Sequence, residues 1–120
     1  MSSTLAATLQ SGSIWFRIAA ISGATAVGLG AYGAHGFKPK DSYYLEVFRR
    51  ANNLHMVHSL LLAIAPSTKR PWLVGGLTLA GMALFSGSCY TIALQENRKW
   101  AKLAPIGGFT LMAAWLSLAL

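Results

Sequence analysis

Ala51-Asn52-Asn53-Leu54-His55-Met56-Val57-His58-Ser59 places two amides and two imidazoles at the start of a segment that otherwise reads as a membrane span. Polar side chains are costly in hydrocarbon, so they face a bundle interior, a partner or a water pocket. On a helical wheel Asn52, His55, His58 and Ser59 fall within an arc of about 120°, while Asn53 points elsewhere. A helix with such an arc needs neighbours to cover it.

The rest of the chain supplies candidates for those neighbours. Of its 120 residues 54% are hydrophobic and only 11% charged, against about 25% charged in a soluble domain. The charges are confined to Lys38–Arg50, Lys69–Arg70 and Glu96–Lys102, with Arg17 alone elsewhere. Long apolar runs lie between them, which is the layout of a multi-pass membrane protein. The net charge of +7 does not point to nucleic acid, because the cations cluster at the ends of apolar runs, where anionic lipid headgroups meet them. The single cysteine, Cys89, has no partner for an intramolecular disulfide and no metal-type spacing. It reads as a small buried hydrophobe.

The sequence predicts an all-α, four-span transmembrane helical bundle with short loops. A polar leader covers residues 1–13, and a membrane domain covers residues 14–120, with spans at about 14–36, 45–65, 72–95 and 103–120. Arg17 before an apolar stretch could mark a cleaved signal, but three further spans follow, and the leader is expected to stay. The second span poses a length problem: Ala51–Ala65 covers only about 22 Å of a core about 30 Å thick. It must start near Leu45 as one helix, or sit as an inner helix in a thinned bilayer. Tyr43–Arg50 can form an amphipathic turn, with Tyr44, Val47 and Phe48 inward and Arg49 and Arg50 snorkelling outward. Arg49, Arg50 and Lys102 are the expected lipid-headgroup contacts.

Small residues predict how the spans meet. Ala19, Gly23, Ala26, Gly30 and Gly33 form a smooth stripe on span 1. Gly76, Ala80, Ala83 and Gly87 form another on span 3, its expected mate, and Ala104 and Gly108 continue the pattern on span 4. Gly28-Leu29-Gly30-Ala31-Tyr32-Gly33 also spells G-x-G-x-x-G. It follows no strand and opens no helix, so it lacks the context of a dinucleotide fingerprint. Seven of the ten Lys and Arg residues fall on the first and third loops, and three on the opposite side. The positive-inside rule makes the seven-cation side cytoplasmic or matrix-facing, with both termini opposite.

Connectivity brings His35, Asn52, His55, His58 and Ser88 toward one leaflet as a candidate polar pocket. Metal or haem binding is one reading of His55 and His58 at i, i+3, but no carboxylate or thiol stands in register. A proton or ion path is a second, but no acid lies within a span. Catalysis is a third, and the chain has neither paired carboxylates nor a Ser-x-x-Lys or G-x-S-x-G motif. The preferred reading is that these groups bond across helices and set the register of the bundle. No enzyme activity, cofactor or metal is expected; the partners are the bilayer and other membrane helices.

Gly30-Ala31-Tyr32-Gly33-Ala34-His35-Gly36 resembles the end of the first span in the transmembrane protein 256 family. Phe48 through Ala51-Asn52, His55 and His58-Ser59-Leu60 is similar to its second segment. Leu84-Phe85-Ser86-Gly87-Ser88-Cys89-Tyr90 resembles the third. Leu103-Ala104-Pro105-Ile106-Gly107-Gly108 and Trp115-Leu116-Ser117-Leu118-Ala119-Leu120 resemble the fourth. The likeness runs from residue 17 to 120, with Ala114 standing where the family usually has Gly. It implies four spans and, from the animal members, a mitochondrial location. It implies no activity and no site residues. The resulting expectation is a structural or accessory protein of the mitochondrial inner membrane, packed against a respiratory-chain assembly or lipid. The alternative is a small transporter or proton- or metal-handling protein built on the histidines.

Overall fold

The computed structural model describes residues 13–120, so the expected leader lies outside the described residues except for Ser13, which opens the first helix. Four α-helices follow: α1 (Ser13–His35), α2 (Ser42–Ile64), α3 (Pro71–Gln95) and α4 (Leu103–Ser117). Single 3-10 turns, Ala65–Ser67 and Arg98–Trp100, sit in the second and third connections, and the described residues contain no strand. By length and apolarity α1 and α3 are both able to cross a membrane. The four helices form an all-α bundle with short connections.

The length problem of the second span is resolved by a cap. The Asp41 carboxylate accepts from the Tyr43 N–H at 2.9 Å, which satisfies one orphan donor of the first turn and starts α2 at Ser42. The helix is then 23 residues long, or about 34 Å, with the charged Glu46, Arg49 and Arg50 in its first half. The expected amphipathic turn is the beginning of this helix, not a separate surface piece. Val47 and Phe48 are buried, and Arg49 and Arg50 are exposed.

α3 starts with Pro71 in its first turn, where a missing N–H costs nothing. It ends at Glu96, whose φ of 49° is the one positive value outside glycine among the described residues. The Glu96 carboxylate accepts from the Lys40 N–H at 3.0 Å. That bond ties the third loop to the first, so both basic loops share one end of the bundle.

The helices pack in chain order: α1 on α2, α2 on α3, and α3 on α4. Two buried clusters hold them. One, toward the end away from the basic loops, includes Trp15, Leu61, Leu62, Val74, Met82 and Leu111. The other, toward the basic loops, centres on Val47, Phe48, Ala51, Cys89, Ile92 and Ala93. Cys89 is buried and free, as expected.

The glycine expectations divide. A methyl on Gly30 would come within 2.9 Å of Asn52 Oδ1, and one on Gly33 within 2.6 Å of the Phe48 ring, so both mark where α2 approaches α1. Gly23, Gly76 and Gly87 face open space, and Gly108 has only Phe85 at 3.9 Å. The stripes of spans 1 and 3 are therefore not mates. The close approaches on α3 use neighbouring glycines: an added methyl would come within 2.6 Å of the Trp15 indole at Gly75 and within 2.7 Å of Leu111 at Gly81. On α4 the contact glycine is Gly107, not Gly108. A methyl there would run into the Phe85 backbone nitrogen and stand 2.7 Å from the Leu84 carbonyl carbon. Every apolar position of a membrane helix is acceptable to lipid, so composition does not distinguish the helix-facing glycine from its neighbour.

Backbone cannot step aside as a side-chain tip can. Gly107→Ala is expected to force α3 and α4 apart and lower stability by about 1–3 kcal/mol. Gly76→Ala, with nothing near it, should leave stability unchanged or slightly raised. Unfolding in mild detergent separates the two, and equal effects would refute the assignment of Gly107 as the α3–α4 contact.

Candidate functional site

The polar arc of α2 is covered by α1 and α3. The Ser59 hydroxyl donates to the His55 carbonyl at 2.8 Å. Its oxygen lies 2.6 Å from Ser22 Oγ on α1, and since the Ser59 proton is spent, Ser22 is the donor. Ser22 Oγ then accepts from His55 Nε2–H at 3.1 Å. With the ring neutral, His55 Nδ1 holds a lone pair and accepts from the Tyr90 hydroxyl of α3 at 2.9 Å. The Tyr90 oxygen accepts one Asn52 N–H at 3.1 Å, and the other Asn52 N–H goes to the Ala26 carbonyl of α1 at 2.8 Å. Each proton position follows from the one before it. The result is a one-way chain, Asn52 to Tyr90 to His55 to Ser22 to Ser59, closed on backbone carbonyls at both ends. Ser86 of α3 adds a bond to the Ala51 carbonyl at 3.1 Å.

His58 stands apart from this chain. Trp115 Nε1–H of α4 donates to its Nε2 at 3.0 Å. An indole N–H only donates, so His58 Nε2 accepts and Nδ1–H donates to the Leu54 carbonyl at 2.7 Å. The imidazole is 4% exposed and both nitrogens are engaged. Two histidines one turn apart thus serve different contacts: His55 joins α1 and α3 to α2, and His58 joins α4 to α2.

The single pocket expected from connectivity is therefore two sites, and two of its members belong to neither. Asn52 and His55 are in the chain, and His58 is with Trp115. Ser88 is turned away, donating to the Phe85 carbonyl of its own helix at 3.0 Å. His35 is exposed at the end of α1, separated from the chain by the turns carrying Gly30 and Gly33. Arg49, Arg50 and Lys102 are exposed, and Arg50 pairs with Glu46 at 3.3 Å. No three His, Cys, Asp or Glu side chains among the described residues gather where they could hold a metal ion.

Between α1 and α3, above the polar chain, lies a groove of about 510 Å³. Ile18, Ile21 and Leu29 form one wall, Leu79 and Met82 the other, and His55, Ser22 and Tyr90 reach its floor. Thr25 also borders it but donates to the Ile21 carbonyl at 2.7 Å. The groove is why the expected stripe contact between spans 1 and 3 does not form.

Ser22, Tyr90 and Trp115 are the site residues that sequence reasoning missed. Ser22 was hidden in a run of small residues. Tyr90 and Trp115 carry aromatic bodies that read as core or interfacial anchors. The available signal was a count of polar atoms: Asn52 and His55 bring more donors and acceptors than α2 can satisfy alone.

Tyr90→Phe removes the acceptor for Asn52 and the donor to His55 together. It is expected to lower stability by about 1–2 kcal/mol, whereas His35→Ala at the exposed end should change it by less than about 0.5 kcal/mol. Equal effects in a detergent unfolding titration would show that the chain does not hold the bundle.

Residues 29–108 match the family described as a protein of unknown function, DUF423. The chain is 38% identical over 114 residues to a UPF0382 membrane protein of Staphylococcus saprophyticus, a match covering 89% of this chain and 94% of that one. It is 32% identical over 115 residues to the UPF0382 membrane protein YwdK of Bacillus subtilis, covering 86% and 90%. It is 33% identical over 115 residues to a UPF0382 membrane protein of Schizosaccharomyces pombe, covering 88% and 97%. No solved structure matches it. Matched along almost the whole of relatives from bacteria and a yeast, the chain belongs to the DUF423/UPF0382 family of membrane proteins.

Proposed function

We propose that the protein is a structural, non-enzymatic accessory protein, packed through its apolar outer surface against the helices of a larger membrane assembly. The observation that carries this reading is the use of the intramembrane polar groups. Both ring nitrogens of His55 and of His58 are already hydrogen-bonded within the bundle. Neither ring offers a free lone pair to a metal, and a proton chain that ends on backbone carbonyls has no exit. Groups spent this way fix the helix register. Large side chains such as Ile21, Leu60, Phe109 and Leu116 remain exposed for lipid or partner helices.

The proposal extends to place. The resemblance to the animal members of the transmembrane protein 256 family supports the mitochondrial inner membrane, with the seven-cation face toward the matrix and both termini away from it. In that setting the larger assembly is a respiratory-chain complex. The bond between Glu96 and Lys40 supports this orientation by holding the two basic loops at one end.

One observation favours a second reading, a small transporter or proton- or metal-handling protein. The groove between α1 and α3 leads to His55, Ser22 and Tyr90, where a solute could meet the polar chain.

Native sizing after gentle extraction, with mass spectrometry of comigrating proteins, tests the first reading. Migration within a large respiratory assembly is the expected result. Migration as a small monomer or homo-oligomer would overturn it. The transport reading then requires that His55→Asn abolish a flux in proteoliposomes while the bundle stays folded.

A further inference from the structure

The outer seam between α1 and α2, on the face away from the groove, carries two depressions, and a third, open recess adjoins them on the surface of α2 alone. At the basic end is a recess of about 410 Å³ bordered by Glu46, Arg49, Arg50 and Asn53. Beside it a notch of about 80 Å³ opens between Gly30 and Ala34 of α1 and Arg49 and Asn53 of α2. Deeper along the same seam is a groove of about 350 Å³ between Gly23 and Ala20 on one side and Met56 and Leu60 on the other. Arg49, Asn53, Met56, Leu60 and Ala63 recur at intervals of four, three, four and three, so they form one face of α2.

Two features of this face are unexplained by the bundle. Arg50 has Glu46 as its ion-pair partner, but Arg49 has no carboxylate in reach among the described residues. Asn53 is exposed one turn deeper and makes no hydrogen bond among the described residues. An amide facing bare hydrocarbon is costly, and a cation at this depth snorkels toward phosphate. Four residues of helix separate the two by about 6 Å along the membrane normal. That is the order in which a phospholipid presents its parts: phosphate outermost, ester carbonyls next, acyl chain below.

We propose that this seam seats one anionic phospholipid of the leaflet on the basic side. Its phosphate accepts from the Arg49 guanidinium, an ester carbonyl accepts from the Asn53 N–H₂, and an acyl chain lies in the groove over Gly23. The open space at Gly23, where nothing stands within 4 Å of an added methyl, is the room that chain occupies. Charge selects the headgroup: a zwitterionic lipid would bring its own cation beside Arg49 and Arg50, and an acidic one brings none. The proposal needs only a bilayer around the bundle and holds whether or not a larger assembly is found.

The test uses the full-length protein in mild detergent, titrated with phosphatidylglycerol or phosphatidylcholine of matched acyl chains, with retained lipid counted by native mass spectrometry. The expected result is one phosphatidylglycerol retained at least roughly ten-fold more tightly than phosphatidylcholine. Arg49→Gln should lose that preference, Arg49→Lys should keep it, and Arg17→Gln at the opposite membrane face should not affect it. Gly23→Leu should weaken both lipids while leaving the unfolding temperature in lipid-free detergent unchanged. Equal retention of the two lipids by the unaltered protein would overturn the proposal. So would equal losses in the Arg49→Gln and Arg17→Gln variants, or displacement of the lipid by millimolar inorganic phosphate.

Discussion

Hydrocarbon offers no hydrogen-bond partners, and this constraint organises the whole bundle. α2 brings Asn52, His55, His58 and Ser59 into the membrane, and each must be satisfied by another helix or by its own backbone. The satisfaction comes from three directions: Ser22 and Ala26 of α1, Tyr90 of α3 and Trp115 of α4. In water such bonds would compete with solvent. In the bilayer the alternative is an orphaned donor, so a small net energy per bond still excludes other registers. The glycines serve the same end. Gly30 has no side chain because Asn52 passes there on its way to the Ala26 carbonyl.

The same constraint divides the surface into two kinds of concavity. The groove between α1 and α3 has walls of Ile, Leu and Met and a floor whose protons are committed inward. The seam between α1 and α2 carries at one end Arg49 and Asn53, which have no side-chain partner among the described residues, and a smooth channel below. Residues on α2 one or two positions apart thus have different environments: His55 looks into the bundle, and Asn53 and Met56 look out of it.

The architecture was legible because its signals are one-dimensional. Apolar runs, charge clusters and Pro39, Pro66 and Pro71 mark helices and loops without reference to contacts. The inward arc of α2, the exposure of Arg49 and Arg50 and the burial of Cys89 follow from helical period alone. Register was not legible. Gly75 and Gly76, like Gly107 and Gly108, are adjacent and chemically identical, and only the partner helix decides which of them is contacted. Nor could periodicity show that His55 and His58 part company, since both lie within the same arc. Their partners, Tyr90 and Trp115, lie 35 and 57 residues away. The Asp41 cap was readable from Asp41-Ser42, but the basic residues around it drew the segment into the loop.

Packing in chain order has a bearing on biogenesis. A helix leaving the translocation machinery can dock only on what has already been released. Were the helices to insert in chain order, α2 could close the Asn52–Ala26 and His55–Ser22 bonds on α1 before α3 is made. α3 then completes the chain through Tyr90, and α4 follows on the Gly81 and Phe85 surface. One contact breaks the sequence: His58 must wait for Trp115, near the end of the chain. With insertion in that order, the His58 Nε2 lone pair would be the one intramembrane acceptor of α2's histidines left open until the end of the chain arrives.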